Sequence, residues 1–342
     1  MRLFFSLTII SIGLFFVTCQ NSNDSKTSAT KTTNADLPTT GNPAIDGLSV
    51  AIAQAPNNPE LYAKRADMYY QNEGYDEAIA DLRKALSIDS TNVDYLHFLA
   101  DVHLDYYQSY EAMSTMLKAA TLYPKRIPTL LKLSEFQLIL KQYDKSINTI
   151  NEILKLEQLN AEAYFMLGLN FKDQGDIDRA IGSFQTAVEN NPDLVDAWIN
   201  LGQLNAEKSN PLAKYYFENA VKVAPGNITA LHAQAEFLHF SNLREEAIAT
   251  YKKINSIDPD YSESLFNTGI IYLEMDSLVP AKTHFNMAIK TSPTYIIAYY
   301  YRGLIEEMQG NIAAAKKDYQ NALNFNPEFV RAQEALDRLS RG

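Results

Sequence analysis

Cysteine and tryptophan are each present once in 342 residues. A single Cys19 can form no internal disulfide and leaves no Cys-rich zinc site. Basic side chains are also in deficit. There are 30 Lys and Arg against 41 Asp and Glu, a formal net charge of −11. That balance opposes binding to a nucleic-acid backbone, which needs cations to displace counterions. The sequence lacks a glycine-rich phosphate loop, a nucleophile motif and a paired-carboxylate constellation apart from surface charge. These absences point away from an enzyme, and no cofactor is expected. With 46% hydrophobic residues the chain is still apolar enough to fold.

The N-terminus reads as an address. Arg2 is followed by an uncharged run from Leu3 to Val17. This is shorter than the roughly 20 residues of a membrane span and suits the apolar core of a signal peptide. The run ends at Phe16-Val17-Thr18-Cys19. It resembles a bacterial lipobox, although Phe16 and Thr18 depart from the usual Leu and small residue. The resemblance implies cleavage after residue 18 and lipidation of Cys19. Gln20 is not the Asp that marks inner-membrane retention in such proteins, so the resemblance implies an outer-membrane lipoprotein of a Gram-negative-type bacterium, on its periplasmic or its surface face. Residues 20–42 are rich in Ser and Thr, have no aromatic residue and carry zero net charge. Such a stretch buries too little to offset its ordering entropy and is expected to be a disordered tether.

What remains is one pattern, repeated. Ala78, Ala112, Ala180, Ala281 and Ala315 stand in a 34-residue register with one residue missing along the way. The same register aligns Leu82, Met116, Ile150, Phe184, Phe217, Tyr251, Phe285 and Tyr319. It also aligns Pro56, Pro124, Pro192, Pro225, Pro259, Pro293 and Pro327, more than half of the 13 prolines. Upstream in each unit a bulky residue precedes a small one by four, as in Tyr164 and Gly168 or Trp198 and Gly202. Spacings of 3, 4 and 7 place residues on one helical face, so each unit should be two amphipathic helices joined by a tight turn.

The set Tyr164, Leu167, Gly168, Phe171, Ala180, Phe184, Ala187 and Pro192 resembles the tetratricopeptide repeat. That resemblance implies an all-α, right-handed α-solenoid of helix-turn-helix repeats. The expected order is a signal peptide (1–18), lipidated Cys19 and tether (19–42), and an N-terminal half-repeat (43–58). Eight repeats follow at 59–92, 93–126, 127–160, 161–194, 195–227, 228–261, 262–295 and 296–329, and then a capping helix (330–342). The fifth repeat is one residue short, near Ser209 to Pro211.

The resemblance also implies which side chains line a concave groove: positions 2, 5, 9, 12 and 13 of each repeat. Those positions hold 14 Asp and Glu and a single base, Lys172. Acids at position 2 suit a helix N-terminus. The others, Asp67, Asp101, Asp105, Glu135, Asp173, Glu207, Glu236, Glu274 and Glu307, are expected to attract a basic or amphipathic segment of another envelope protein. Solubility of a curved solenoid is the plainer explanation of the same charge. Apolar groove residues, including Phe165, Phe266, Tyr300 and Leu304, would extend the contact. Groove-facing bases of the kind that clamp terminal carboxylates in some repeats of this type are absent. His232, Glu236 and His239 share a helix face at i, i+4 and i+7, a weaker candidate for a metal. His103 occupies a core column, and Trp198 is the packing residue of its repeat.

The leading expectation is a non-enzymatic scaffold or adaptor lipoprotein that holds a protein partner. Two alternatives stay open: a metal- or glycan-binding surface lipoprotein, and a self-assembling structural protein.

Overall fold

The computed structural model describes residues 39–341. The expected signal peptide, Cys19 and the tether up to residue 38 lie outside the described residues. Eighteen helices, numbered in chain order, make up the described chain, with no strand among the described residues. A lone α1 (Pro43–Gln54) opens the array and a lone α18 (Val330–Arg341) closes it. Between them, first helices alternate with second helices. The first helices are α2 (Pro59–Gln71), α4 (Val93–Asp105), α6 (Ile127–Ile139), α8 (Ala161–Asp173), α10 (Val195–Glu207), α12 (Ile228–Phe240), α14 (Ser262–Glu274) and α16 (Ile296–Met308). The second helices are α3 (Tyr75–Ile88), α5 (Ser109–Leu122), α7 (Tyr143–Leu156), α9 (Ile177–Asn190), α11 (Leu212–Val223), α13 (Arg244–Ile257), α15 (Leu278–Thr291) and α17 (Ile312–Phe325). Consecutive helices pack as pairs, and successive first helices touch directly, as α6 does α8 and α10 does α12. This is an α-solenoid. No helix of the described residues is long and apolar enough to cross a membrane.

Local chemistry sets the boundaries. Asn42, Asn58, Asn92, Asn160 and Asn227 each accept a backbone N–H at a helix start, which satisfies a donor that would otherwise be orphaned. Each aligned proline lies two residues past a helix end, and the residue before it, such as Tyr123 or Asn191, leaves the helical region. Pro59, Pro128, Pro211 and Pro280 stand in first turns or caps, where no helical donor is lost. The shortened fifth repeat loses its residue at the start of α11, which is 12 residues long where α9 and α13 have 14.

Between the two helices of every repeat the chain passes through one left-handed residue. These are Glu73, Tyr107, Lys141, Gly175, Ser209, Asn242, Asp276 and Gly310, with φ between 53° and 78°. Only two of the eight are glycine.

The core is a continuous seam of the repeat columns. Ala78, Ala112, Ser146, Ala180, Ala213, Ala247, Ala281 and Ala315 are buried, as are the bulky residues four positions later. Burying each of those bulky side chains stabilises by about 1.5–3 kcal/mol. Small and large residues answer each other within a repeat. A Cβ on Gly168 would lie 2.5 Å from the Phe184 ring, and one on Gly202 2.7 Å from Phe217. Where the first-helix residue is Ala66, Ala100 or Ser134, the facing residue shrinks to Leu82, Met116 or Ile150. The aromatic at position 4 also ties successive repeats together. Trp198 Nε1 donates to the Pro192 carbonyl at 2.8 Å, and the Tyr62 and Tyr299 hydroxyls do the same to Pro56 and Pro293.

Candidate functional site

The acids expected to line one face sit on neighbouring first helices. On α2, Asp67 is half-buried and accepts from Gln71 at 3.0 Å. On α4, Asp105 accepts the Tyr70 hydroxyl of α2. Asp101 pairs with Lys132 of α6 at 2.7 Å. Glu135 of α6 lies in the field of both Asp101 and Lys132. Side chains from α2, α4 and α6 therefore meet across a shared surface.

That surface is recessed, and its titration behaviour follows. Burial pushes the Asp101 and Glu135 carboxyls above their ordinary values, although Lys132 pulls both down. On the later first helices α10 and α8 the same cause acts at Asp196 and Lys172, and burial alone raises Asp196. It lowers Lys172, against the field of Glu207. Burial also drives His97 down to about 4, helped by Lys132 and Arg126, so this ring is neutral at pH 7 and bonds Thr129 Oγ1 at 3.1 Å. Desolvation is the first cause at each of these five groups. Charges in such a place are poorly screened, and each missing counter-charge costs more than it would on an open surface.

Farther along, Asp173 and Glu207 are exposed at the C-terminal ends of α8 and α10. Asp173 accepts the Tyr143 hydroxyl at 2.5 Å. Lys172 Nζ bonds Asn200 Oδ1 at 2.7 Å. Glu236 is 3.7 Å from His232, and Glu274 is 2.9 Å from His239 and 3.8 Å from Arg244. Glu307 takes both Arg338 at 2.8 Å and the Tyr319 hydroxyl at 2.7 Å.

The face is therefore less negative than position counting alone implies. Lys132, Arg244 and Arg338 lie outside the positions counted as inward, yet each reaches an inward acid. Long side chains on adjacent helices cross the seam.

The apolar contact patch needs a larger correction. Phe165 and Phe266 are each only 8% exposed. Phe165 packs on Phe184, and Phe266 is enclosed by Phe285, Tyr295 and Tyr301. Tyr300 and Leu304 are half-buried, with the Tyr300 ring against Tyr301, Tyr319 and Phe329. Packing against the second helix of the same repeat, and for Phe266 also against Tyr301 of the next, takes Phe165 and Phe266 into the core. The large apolar groups left open on first helices are Ile139, Phe240 and Met308, at 51%, 83% and 54% exposed.

The metal candidate does not converge. His239 turns to Glu274 of α14, while His232 sits between Glu236 and Glu263 at 3.7 and 3.8 Å. Among the described residues no group of three His, Cys, Asp or Glu could hold a metal ion. His103 is buried and bonds Gln108.

Comparison with known proteins follows the same pattern. Residues 66–105 match the family described as TPR repeat, and residues 165–213 the family described as Tetratricopeptide repeat. A human Protein O-mannosyl-transferase TMTC3 is 25% identical over 196 residues, which is 52% of this chain and 21% of that protein. A DnaJ homolog subfamily C member 7 homolog of Dictyostelium discoideum is 23% identical over 198 residues, 58% of this chain and 33% of that one. The chain thus spans a third or less of the length of these two relatives. Among solved structures, a chain of the APC/C hetero-tetramer Cut9-Hcn1 superposes with a TM-score of 0.50 at 16% identity, covering 86% of this chain and 58% of its own.

Proposed function

Because the chain is a tetratricopeptide-repeat protein in sequence and fold, we propose that it is a non-catalytic scaffold that holds a basic or amphipathic segment of another protein on its first-helix face. The observation that carries this is the set of carboxylates Asp67, Asp101, Asp105 and Glu135 on three adjacent first helices, of which Asp101 and Glu135 are lifted by burial while Asp105 is exposed. A partner's Lys or Arg would relieve that unfavourable burial. Like-signed walls also concentrate the field and speed encounter. Asp173, Glu207, Glu236 and Glu274 would extend the track toward later repeats.

The setting we propose is the bacterial envelope, with Cys19 lipidated and the protein on the outer membrane. Its support is the Leu3–Val17 run, the lone Cys19 and the Ser/Thr-rich stretch after it. Labelled palmitate that enters the protein and is lost in Cys19→Ser would support the anchor, and equal labelling of both would refute it.

The groove reading is tested by reversal of charge. Residues 20–342, native or with Asp67→Lys, Asp101→Lys and Glu135→Lys together, serve as bait for solubilised envelope proteins at low salt. We expect a protein retained by the native bait to bind the reversed one about tenfold or more weakly. Equal retention would mean that the acids only solvate the solenoid.

A further inference from the structure

The last helix continues the first-helix series with the opposite charge. Arg331, Glu334, Arg338 and Arg341 of α18 stand 34 residues after Ile297, Tyr300, Leu304 and Glu307 of α16. Where the eight repeats carry 10 acids and one lysine at these four positions, α18 carries three arginines and one acid. Arg338 uses that placement. Its Nη2 lies 2.9 and 2.8 Å from Glu307 Oε1 and Oε2, and its Nε lies 3.2 Å from Oε1. The Tyr319 hydroxyl completes the site from α17. Partial burial works to raise the Glu307 carboxyl, but the hydrogen bonds from Arg338 and Tyr319 outweigh it and hold the group below its ordinary value.

Docking of α18 does not depend on this pair. Ala332 and Ala335 are buried against Tyr319 and Ala322, with Leu336 and Leu339 packed beside them. Side-chain exposure is 58% for Arg338 and 20% for Glu307, so the arginine can swing away while the helix stays in place.

We propose that Arg338 is an autoinhibitory latch: the chain's own guanidinium occupies Glu307 and competes there with the basic segment of a partner. The proposal rests on the acidic-face reading and names the point at which binding is regulated. It places the end of the accessible track at repeat 8, where a partner must displace Arg338 to gain Glu307.

The probe is a fluorescently labelled octa-arginine peptide, titrated into residues 20–342 at low salt and followed by anisotropy. Arg338→Gln should bind it about two- to fivefold more tightly than the native chain, the range expected for release of one partly exposed ion pair. Arg341→Gln makes the same change in net charge and should show no gain. Glu307→Gln should cancel the gain when combined with Arg338→Gln. Melting curves and helical circular dichroism verify that α18 remains docked in each variant.

Native affinity in Arg338→Gln, or an equal gain in Arg341→Gln, would overturn the latch. If the Asp67, Asp101 and Glu135 reversal still abolishes binding in that case, the acidic groove stands without its latch. Unchanged binding by that reversal would overturn both.

Discussion

Tyr107 is the least expected residue in the turns. Left-handed backbone costs an L-residue about 1–2 kcal/mol, and glycine avoids most of that. Asn242 and Asp276 tolerate the same geometry through their short polar side chains, but Tyr107 has φ 61° and a side chain 93% exposed. Tyr107→Gly should therefore raise stability by about 0.5–1 kcal/mol, since glycine's extra unfolded-state entropy offsets part of the relief. A higher melting midpoint is the expected result, and an unchanged or lower one would show that the ring contributes something the backbone argument omits. His97 has the opposite kind of strain. Its folded pKa of about 4 lies below its ordinary 6.5, so between those values the unfolded chain holds a proton that the folded chain does not. Stability should fall as pH drops through that window and be unaffected by this group above it. His97→Gln should lessen the loss at pH 4.5 by on the order of 1 kcal/mol, read from urea midpoints at pH 4.5 and 7.5. Parallel midpoints in the two proteins would refute the assignment. Of these two residues neither effect was legible beforehand. Six different non-glycine side chains share the left-handed position, so composition conceals the rule, and the lowering of His97 combines its burial with the charges of Lys132 in the next repeat and Arg126 at the end of its own.

At the scale of helices, the terminal repeats use a solution that the inner ones avoid. Arg65 grips Asp81 through two bonds of 2.7 Å, and Arg302 grips Asp318 at 2.8 and 2.6 Å. Both aspartates are nearly buried, at 6% and 5% exposed. At the matching places repeats two to four carry Leu99 with Thr115, Leu133 with Thr149, and Leu167 with Ser183. An ion pair and a leucine therefore fill equivalent sites in one architecture. Breaking such a pair leaves an uncompensated buried charge, whereas replacing both partners restores an apolar contact. Arg302→Leu alone should cost about 3–5 kcal/mol, and Arg302→Leu with Asp318→Thr should fall within about 1 kcal/mol of the native chain. Urea unfolding of the four proteins of the cycle tests this, and equal losses in the single and the double variant would show that the arginine's own packing is what matters. Helix pairing itself was readable, because columns such as Ala180, Phe184 and Ala187 report a buried face directly. The surface between first helices was only half readable. The acids were visible as a pattern, but Lys132 crosses to Asp101 from a position that no single-helix periodicity marks, and Arg338 reaches Glu307 from the helix beyond the last repeat. Phe165 and Phe266 leave the surface by packing on Phe184 and Phe285, the bulky second-helix residues of their own repeats.

At the scale of the molecule, order is carried from neighbour to neighbour. The substantial contacts run between consecutive helices and between successive first helices such as α6 and α8, so no core residue of the first repeats touches the last. In such an array stability is a sum of repeat terms and nearest-interface terms, and an end must be sealed by a helix with a polar outer side. Helix α18 does this with Ala332 and Ala335 turned inward and Arg331, Glu334 and Arg341 exposed. Its removal uncovers the flank of Ala315, Tyr319 and Ala322, and also frees Glu307 from Arg338. Deleting residues 330–342 should therefore loosen α16 and α17 first. Hydrogen exchange followed by mass spectrometry should show amides there exchanging about tenfold faster or more, with those of α2 to α7 unchanged. Acceleration spread evenly over all repeats would mean that the solenoid opens as one cooperative unit, in which case the latch at Glu307 would be felt at Asp67 as well. Exchange confined to the last repeat would leave the acidic surface on α2, α4 and α6 free to act as a site of its own, independent of what happens at the far end.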